Sequence, residues 1–313
     1  MKLNTYQKTA IITVFATIFL IFVGGLVRVS GSGLGCPDWP RCFGSWIPPL
    51  SVADLPARFD PSQFNIFKTW TEYINRLVGI VIGILITATG ILSLRYRKTK
   101  PPVFYNSVAA FILVLIQGWL GGEVVESGLK EWLVTVHMLL AMAIMTILLY
   151  AAFKATEERW TLQLEKGKTR RWMYGIALTL FAFTIIQMIL GTQVRTTIDD
   201  LMQTMPGLSR DLWISHVGSI VEIHRSFSWT IFLSGAGLLY FAFRKTKSSL
   251  LQYMTLGVMT TIVIQILLGV GLYYMGMPPV LQVLHLVGVA IIICLEFLTI
   301  LILRLPVNQP SSG

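Results

Sequence analysis

The chain has four histidines, His137, His216, His224 and His285. Three of them, His137, His224 and His285, fall inside long apolar runs. An ionisable residue there is costly and is a functional candidate by default. Imidazoles at matched depth on neighbouring helices could clamp one haem iron. Helix bundles commonly build cofactor sites from facing side chains, and histidine is a standard axial ligand. The alternative for any one of them is a neutral ring hydrogen-bonded to a neighbouring helix. Three at equivalent positions favour the ligand reading. His216 has no counterpart, lies near the mouth of a span, and reads equally well as an ordinary interfacial residue. Zinc fits less well, because it wants three or four converging ligands and the sequence has no HExxH and no close Cys/His cluster.

Charged residues accompany the histidines. Arg225 follows His224, and Arg76 follows Asn75 in the same relation, while Arg28 and Arg195 stand at the outer ends of two apolar runs. Arginine pairs with carboxylates in a fork geometry, so all four are candidates for haem propionates. Snorkelling to lipid headgroups is the other reading. Glu72 lies three residues before Asn75 and shares its helix face. Glu222 lies two before His224, on a different face, so the two halves differ here. A carboxylate within a span must work or be paired, and Glu72 reads as functional. Cys36 and Cys42 sit in Gly-Cys-Pro-Asp-Trp-Pro-Arg-Cys at 35–42, on a loop assigned below to the oxidising side. A disulfide fits there, either as a staple over the first-half pocket or as a reversible redox pair. Cys294 reads as a packing residue.

These residues need a membrane scaffold to place them. Of 313 residues, 54% are hydrophobic and 13% charged, with mean hydropathy +0.69. A soluble domain carries about 25% charged residues. A span needs roughly 20 apolar residues. The sequence predicts an all-α protein with eight transmembrane helices, at about 9–28, 67–94, 103–124, 132–153, 173–195, 215–243, 251–275 and 281–304. The first run lacks an A-x-A site and reads as a retained span, not a signal peptide. The net charge of +10 does not point to nucleic acid. Basic residues cluster at Arg95–Lys100, Lys154–Arg171 (including Lys166) and Arg244–Lys247, after the second, fourth and sixth spans. That is the positive-inside pattern. It places both termini in the cytoplasm and the Gly/Pro/Trp-rich segment 29–66 outside. Contact with acidic lipid headgroups adds to it.

The spans repeat. Gln117, Gly121 and His137 recur as Gln265, Gly269 and His285, at an offset of 148. Asn75-Arg76 recurs as His224-Arg225, and Gly24-Gly25-Leu26-Val27-Arg28 as Gly191-Thr192-Gln193-Val194-Arg195. Two tandem, duplicated four-helix bundles follow, each even in span number and so parallel in topology. The boundaries are 1–154 for the first half, 155–172 for a cytoplasmic linker and 173–313 for the second half.

Together these residues resemble the haem A synthase family over almost the whole chain. The specific pieces are Gly-Gly-Leu-Val-Arg-Val-Ser-Gly-Ser-Gly-Leu-Gly-Cys-Pro-Asp-Trp-Pro at 24–40, Glu-Tyr-Ile-Asn-Arg at 72–76 and Ile-His-Arg at 223–225. The resemblance implies a bacterial inner-membrane oxidoreductase that oxidises a methyl group of haem O to the formyl group of haem A. It implies a haem b between His224 and His285 in the second half, passing electrons to the first. It implies substrate haem O on His137 in the first half, with Glu72 near the reacting methyl. Expected partners are haem O synthase, assembly factors of terminal haem–copper oxidases, membrane lipid and further copies of the chain; nucleic acid is not among them. One position departs from the family: where its motif reads Glu-x-x-His-Arg, this chain has Asn75. Asparagine is a poor iron ligand, so this departure leaves His137 as the one ligand expected for the substrate haem, with its other face open. The alternatives are a di-haem electron-transfer cytochrome without catalysis, and a haem-handling or transport protein.

Overall fold

The computed structural model describes residues 2–162, 164, 167–205 and 207–306. Lys166 and residues 307–313 lie outside them. Among the described residues the protein is helical, with a few short 3-10 turns and no strand. The helices are α1 (Thr5–Val29), α2 (Ile66–Ser93), α3 (Pro101–Glu126), α4 (Glu131–Thr156), α5 (Lys168–Thr204), α6 (Arg210–His216), α7 (Ser219–Lys245), α8 (Ser249–Tyr274) and α9 (Pro279–Ile302). All but α6 are long and apolar enough to cross a membrane, so the protein is polytopic. The chain forms two compact units, residues 1–151 and 152–313.

In lipid every backbone group must be paired within the chain, which leaves helices as the economical solution. The starts are set locally. Asn4 caps α1 in a capping box with Gln7, and Asn65 caps α2 through the Lys68 amide. Pro101 and Pro279 open α3 and α9, where a missing N–H costs nothing. Threonine and serine hydroxyls inside the spans fold back onto carbonyls four residues earlier, as Thr17 does onto Thr13 and Ser107 onto Val103, each at 2.8 Å.

Lipid chains are as apolar as leucine, so helices associate through close packing of small residues and interhelical hydrogen bonds. In the first unit, Tyr6 Oη meets Ser107 Oγ at 2.8 Å and Thr13 Oγ1 meets Thr89 Oγ1 at 3.1 Å. They tie α1 to α3 and to α2. In the second unit, α5 packs on α7 and α9, and α8 packs on α7 and α9. Ile262 of α8 fills the space left by Gly235 of α7.

Most span ends fall within a few residues of expectation, and two of the differences have a clear physical cause. The fifth was expected to end near 195, but α5 continues to Thr204. Hydropathy stops at the polar residues, whereas the helix carries on through them, supported by an Arg195–Asp199 pair one turn apart at 2.7 Å. The sixth was expected at 215–243, but α7 begins at Ser219 and His216 belongs to the separate α6. The break is at Gly218, with φ +78° and ψ −157°, a conformation open essentially to glycine alone. The break lets α6 fold over, so that Trp213 and Val217 pack with Ile198, Val221 and Met277.

Gly218→Val should therefore destabilise the protein by about 1–3 kcal/mol, read as a lower melting temperature in detergent. Gly175→Ala, at a helical position with open space around it, should leave melting unchanged or raise it.

Candidate functional site

The three span histidines lie within the first two turns of their helices: His137 six residues into α4, His224 five into α7 and His285 six into α9. Their depths match as expected. Each ring edge packs on a glycine of a neighbouring helix. A methyl group at Gly121 would come within 3.4 Å of His137 Cε1, at Gly191 within 3.2 Å of His224 Cε1, and at Gly269 within 3.8 Å of His285 Cε1. Nδ1 of all three rings is buried without a hydrogen-bond partner. In the second unit the rings of His224 and His285 face each other at a centroid distance of 6.4 Å and an interplanar angle of 69°. A histidine nitrogen sits about 2 Å from a bound transition metal. Two such bonds plus the reach to each ring centre come to roughly the observed spacing, so the pair fits one iron between them.

The first unit is built differently. Where α7 offers His224 to Gly191, α2 offers Asn75 to Gly24, with Asn75 Oδ1 at 3.9 Å from a methyl placed there. That oxygen is buried and without a partner. One turn earlier, Glu72 is 3% exposed. Its Oε2 accepts from the Cys36 amide at 2.9 Å, and its Oε1 accepts from Arg76 Nη2. Arg76 Nη1 donates to the carbonyls of Asp38 and Arg41, at 2.9 and 2.8 Å.

The loop between α1 and α2 thus closes onto the carboxylate. Cys36 and Cys42 form a disulfide, and Phe43 behind it sits edge-on to Phe59 and Phe64. Gly35 lies so close to the Lys68 carbonyl that no side chain would fit, and Thr69 Oγ1 donates to the Gly35 carbonyl at 2.8 Å. Trp39 rests on Gly122 of α3. The loop is a lid docked on α2 and α3.

The four arginines have different surroundings. Arg76 is held by Glu72 and loop carbonyls. Arg225 pairs with Glu222 and lies over the Tyr273 ring. Arg195 pairs with Asp199 and donates to Gln282 Oε1. Arg28 stands in the last turn of α1. Glu222 was expected to differ from Glu72 by helix face. Both pair with a nearby arginine, and they differ in burial: the Glu222 side chain is 47% exposed. His216, at the end of α6, hydrogen-bonds through Nδ1 to the Leu212 carbonyl at 2.9 Å. Cys294 is buried and unpaired.

Several residues escaped the sequence reading. Gln187 of α5 donates to the His224 carbonyl at 2.9 Å. The available signal was its spacing of four from Gly191, the same as Gln117 to Gly121 and Gln265 to Gly269. Glu296 is 1% exposed within α9 and accepts from Thr184 Oγ1 at 2.8 Å. Its single charge was lost in a strongly apolar run.

Fold and site define a polytopic membrane protein with three buried imidazoles, two of which face each other. Comparison with known proteins makes this specific. Residues 7–297 match the COX15-CtaA family, described as cytochrome oxidase assembly protein, and the chain belongs to that family. It is similar to a heme A synthase of Shewanella oneidensis, 24% identical over 90% of this chain and 92% of the relative. It is also similar to the heme A synthase of a Ruegeria species, 26% identical over 86% and 80%, and to that of Cereibacter sphaeroides, 25% identical over 87% and 81%.

Of the three cysteines, only Cys294 should react when protein purified without reductant is denatured and alkylated. Prior reduction should raise the count to three by mass. Three adducts without reductant would rule out the Cys36–Cys42 bond.

Proposed function

We propose that this chain is a haem A synthase, an oxidoreductase that converts the methyl group of haem O to the formyl group of haem A. Family membership supports the reaction. The observation that carries the assignment of the catalytic half is Glu72, a buried carboxylate fixed beside Asn75 under a closed outer lid. The overall change replaces two hydrogens of the methyl group by one oxygen. It proceeds as two hydroxylations, each consuming one O2, two electrons and two protons and releasing one water. The resulting gem-diol then loses water to give the aldehyde.

Substrate haem O binds in the first unit with His137 as the axial ligand. Asn75 offers an amide where a second imidazole would stand, and leaves that face of the substrate iron open to a small molecule. Glu72 sits one turn away, held through both oxygens by the Cys36 amide and Arg76. So held, it can stabilise positive charge developing at the methyl carbon or move one of the protons that the hydroxylations consume. The lid excludes water and keeps the carboxylate in place.

The second unit's pair, His224 and His285, fits a haem b, which would supply an electron-transfer centre. The 6.4 Å ring separation and the two unpartnered Nδ1 atoms support that fit. Arg28 and Arg76 in the first unit, and Arg195 and Arg225 in the second, would be the residues to pair with haem propionates. Electron delivery from the second unit, a bacterial inner-membrane location, cytoplasmic termini, and supply of substrate by a haem O synthase complete the reading. The product serves terminal oxidases.

Purified protein incubated with haem O, a reductant and oxygen should yield haem A, identified by the mass of the extracted porphyrin. Unchanged haem O would leave a di-haem electron-transfer protein instead. Glu72→Gln should lower turnover by about 10²–10⁴-fold, the range of a positioned proton-transfer group, while haem O still binds. Wild-type turnover in that variant would remove Glu72 from the mechanism. For topology, a cysteine placed at Asp54 should react with a membrane-impermeant maleimide on intact spheroplasts, and one at Lys98 should not. The reverse pattern would invert the orientation.

A further inference from the structure

The glycine contacts and the glutamines recur together, and the recurrence follows the histidines. Gln117 and Gly121 lie one turn apart on α3. Gln117 Nε2 donates to the His137 carbonyl at 3.1 Å while the ring edge rests on Gly121. Gln187 and Gly191 repeat this on α5, with 2.9 Å from Gln187 Nε2 to the His224 carbonyl and 3.5 Å to its Nε2. Gln265 and Gly269 repeat the spacing on α8 against His285. There the Gln265 amide lies against Gly288, three residues beyond the ligand, buried and without a partner.

The fourth position of the same kind is α1 against α2. Gly24 is kept and faces Asn75. Four residues before Gly24, where the other three helices carry glutamine, α1 carries Leu20. Glutamine is thus present beside each of the three histidines and absent where the histidine is absent. A glutamine needed only to hold helices together would have no reason to track the imidazole.

We infer that Gln187 with Gly191, and Gln117 with Gly121, are positioning residues that set the height and rotation of the ligand imidazoles; the inference rests on the ligand roles proposed above. An interhelical hydrogen bond to the ligand's own carbonyl fixes how far its helix slides past the neighbour. Such bonds and small-residue contacts are what hold helices in lipid. The glycine one turn on presents flat backbone to Cε1, the ring atom between the two nitrogens. At Gly191 a methyl group would meet Cε1 at 3.2 Å, so the ring would have to give; at Gly121 the same methyl would just touch it, at 3.4 Å. In the second unit ring rotation sets the 69° between the His224 and His285 planes, and the angle between ligand planes shapes the electronic signature of a low-spin haem.

The test uses the purified, haem-containing protein. Gln187→Met keeps length and removes the donor. Gly191→Ala adds one methyl, which favours the helix and meets His224 Cε1 at 3.2 Å. Readouts are haem content, far-ultraviolet circular dichroism, the g-values of the low-spin electron paramagnetic resonance signal, and the reduction potential. His224→Ala serves as reference and should abolish the low-spin signal of the second unit. Both positioning variants should keep the fold and the haem, yet shift the g-values and the potential. If His224→Ala loses the signal while both variants match the parent in both readouts, the positioning role is wrong and the ligand assignment stands. If His224→Ala keeps the signal, the ligand assignment falls and the positioning role with it.

Discussion

A polar side chain inside a lipid-embedded bundle has no water to turn to, so its partners must come from the protein or from what it binds. That constraint organises both units. Threonine and serine hydroxyls meet it on their own helices, and Thr184 meets it for one oxygen of Glu296. The three span histidines do not meet it from the protein alone: each keeps a buried Nδ1 without a partner. Each ring edge also lies against a glycine of a neighbouring helix, most tightly at Gly191, where a methyl group would come within 3.2 Å of His224 Cε1. The cost of burying three such rings is reasonable if they hold something, and the 6.4 Å between two of them is the right size for an iron.

The same constraint explains the lid. Glu72 is a carboxylate buried near the N-terminal end of α2, and its two oxygens are answered by Arg76 and by the Cys36 amide. The second partner arrives from 36 residues away and depends on the loop being folded. Gly35, Thr69, the Cys36–Cys42 bond and Arg76 therefore act on one another: the loop fixes the carboxylate, and the carboxylate anchors the loop. The matching arginine pair in the second unit, Glu222 with Arg225, is half exposed and needs no lid. The difference in burial accords with chemistry in the first unit and electron entry in the second.

Much of this was legible in the sequence because it is periodic along one helix. Eight apolar runs gave eight spans, and the equal Gln-to-His spacings exposed the matched depths of His137 and His285. What one helix cannot report is its neighbour. Cys36 meets Glu72 across a loop whose path no periodicity describes. Gln187 meets His224 between helices, and went unnoticed because comparison of the first and second halves set α5 against α1, where Leu20 has replaced the glutamine. Gly218 puts the start of the sixth span at Ser219, later than expected, because one glycine in a polar stretch carries no hydropathy signal, yet its dihedral angles break the helix there. Glu296 was masked by the apolar residues around it.

The central claim is that the two units hold haem in unlike ways, with two imidazoles in the second and one in the first, opposite an asparagine. It is tested most directly by removing the second site and looking at the first alone. Protein carrying both His224→Ala and His285→Ala, loaded with haem O, should give a high-spin ferric electron paramagnetic resonance signal, and adding Asn75→His should convert it to low-spin. A low-spin bis-imidazole signal before that third substitution would contradict the account, because it would mean that the face assigned to Asn75 is already closed by another histidine.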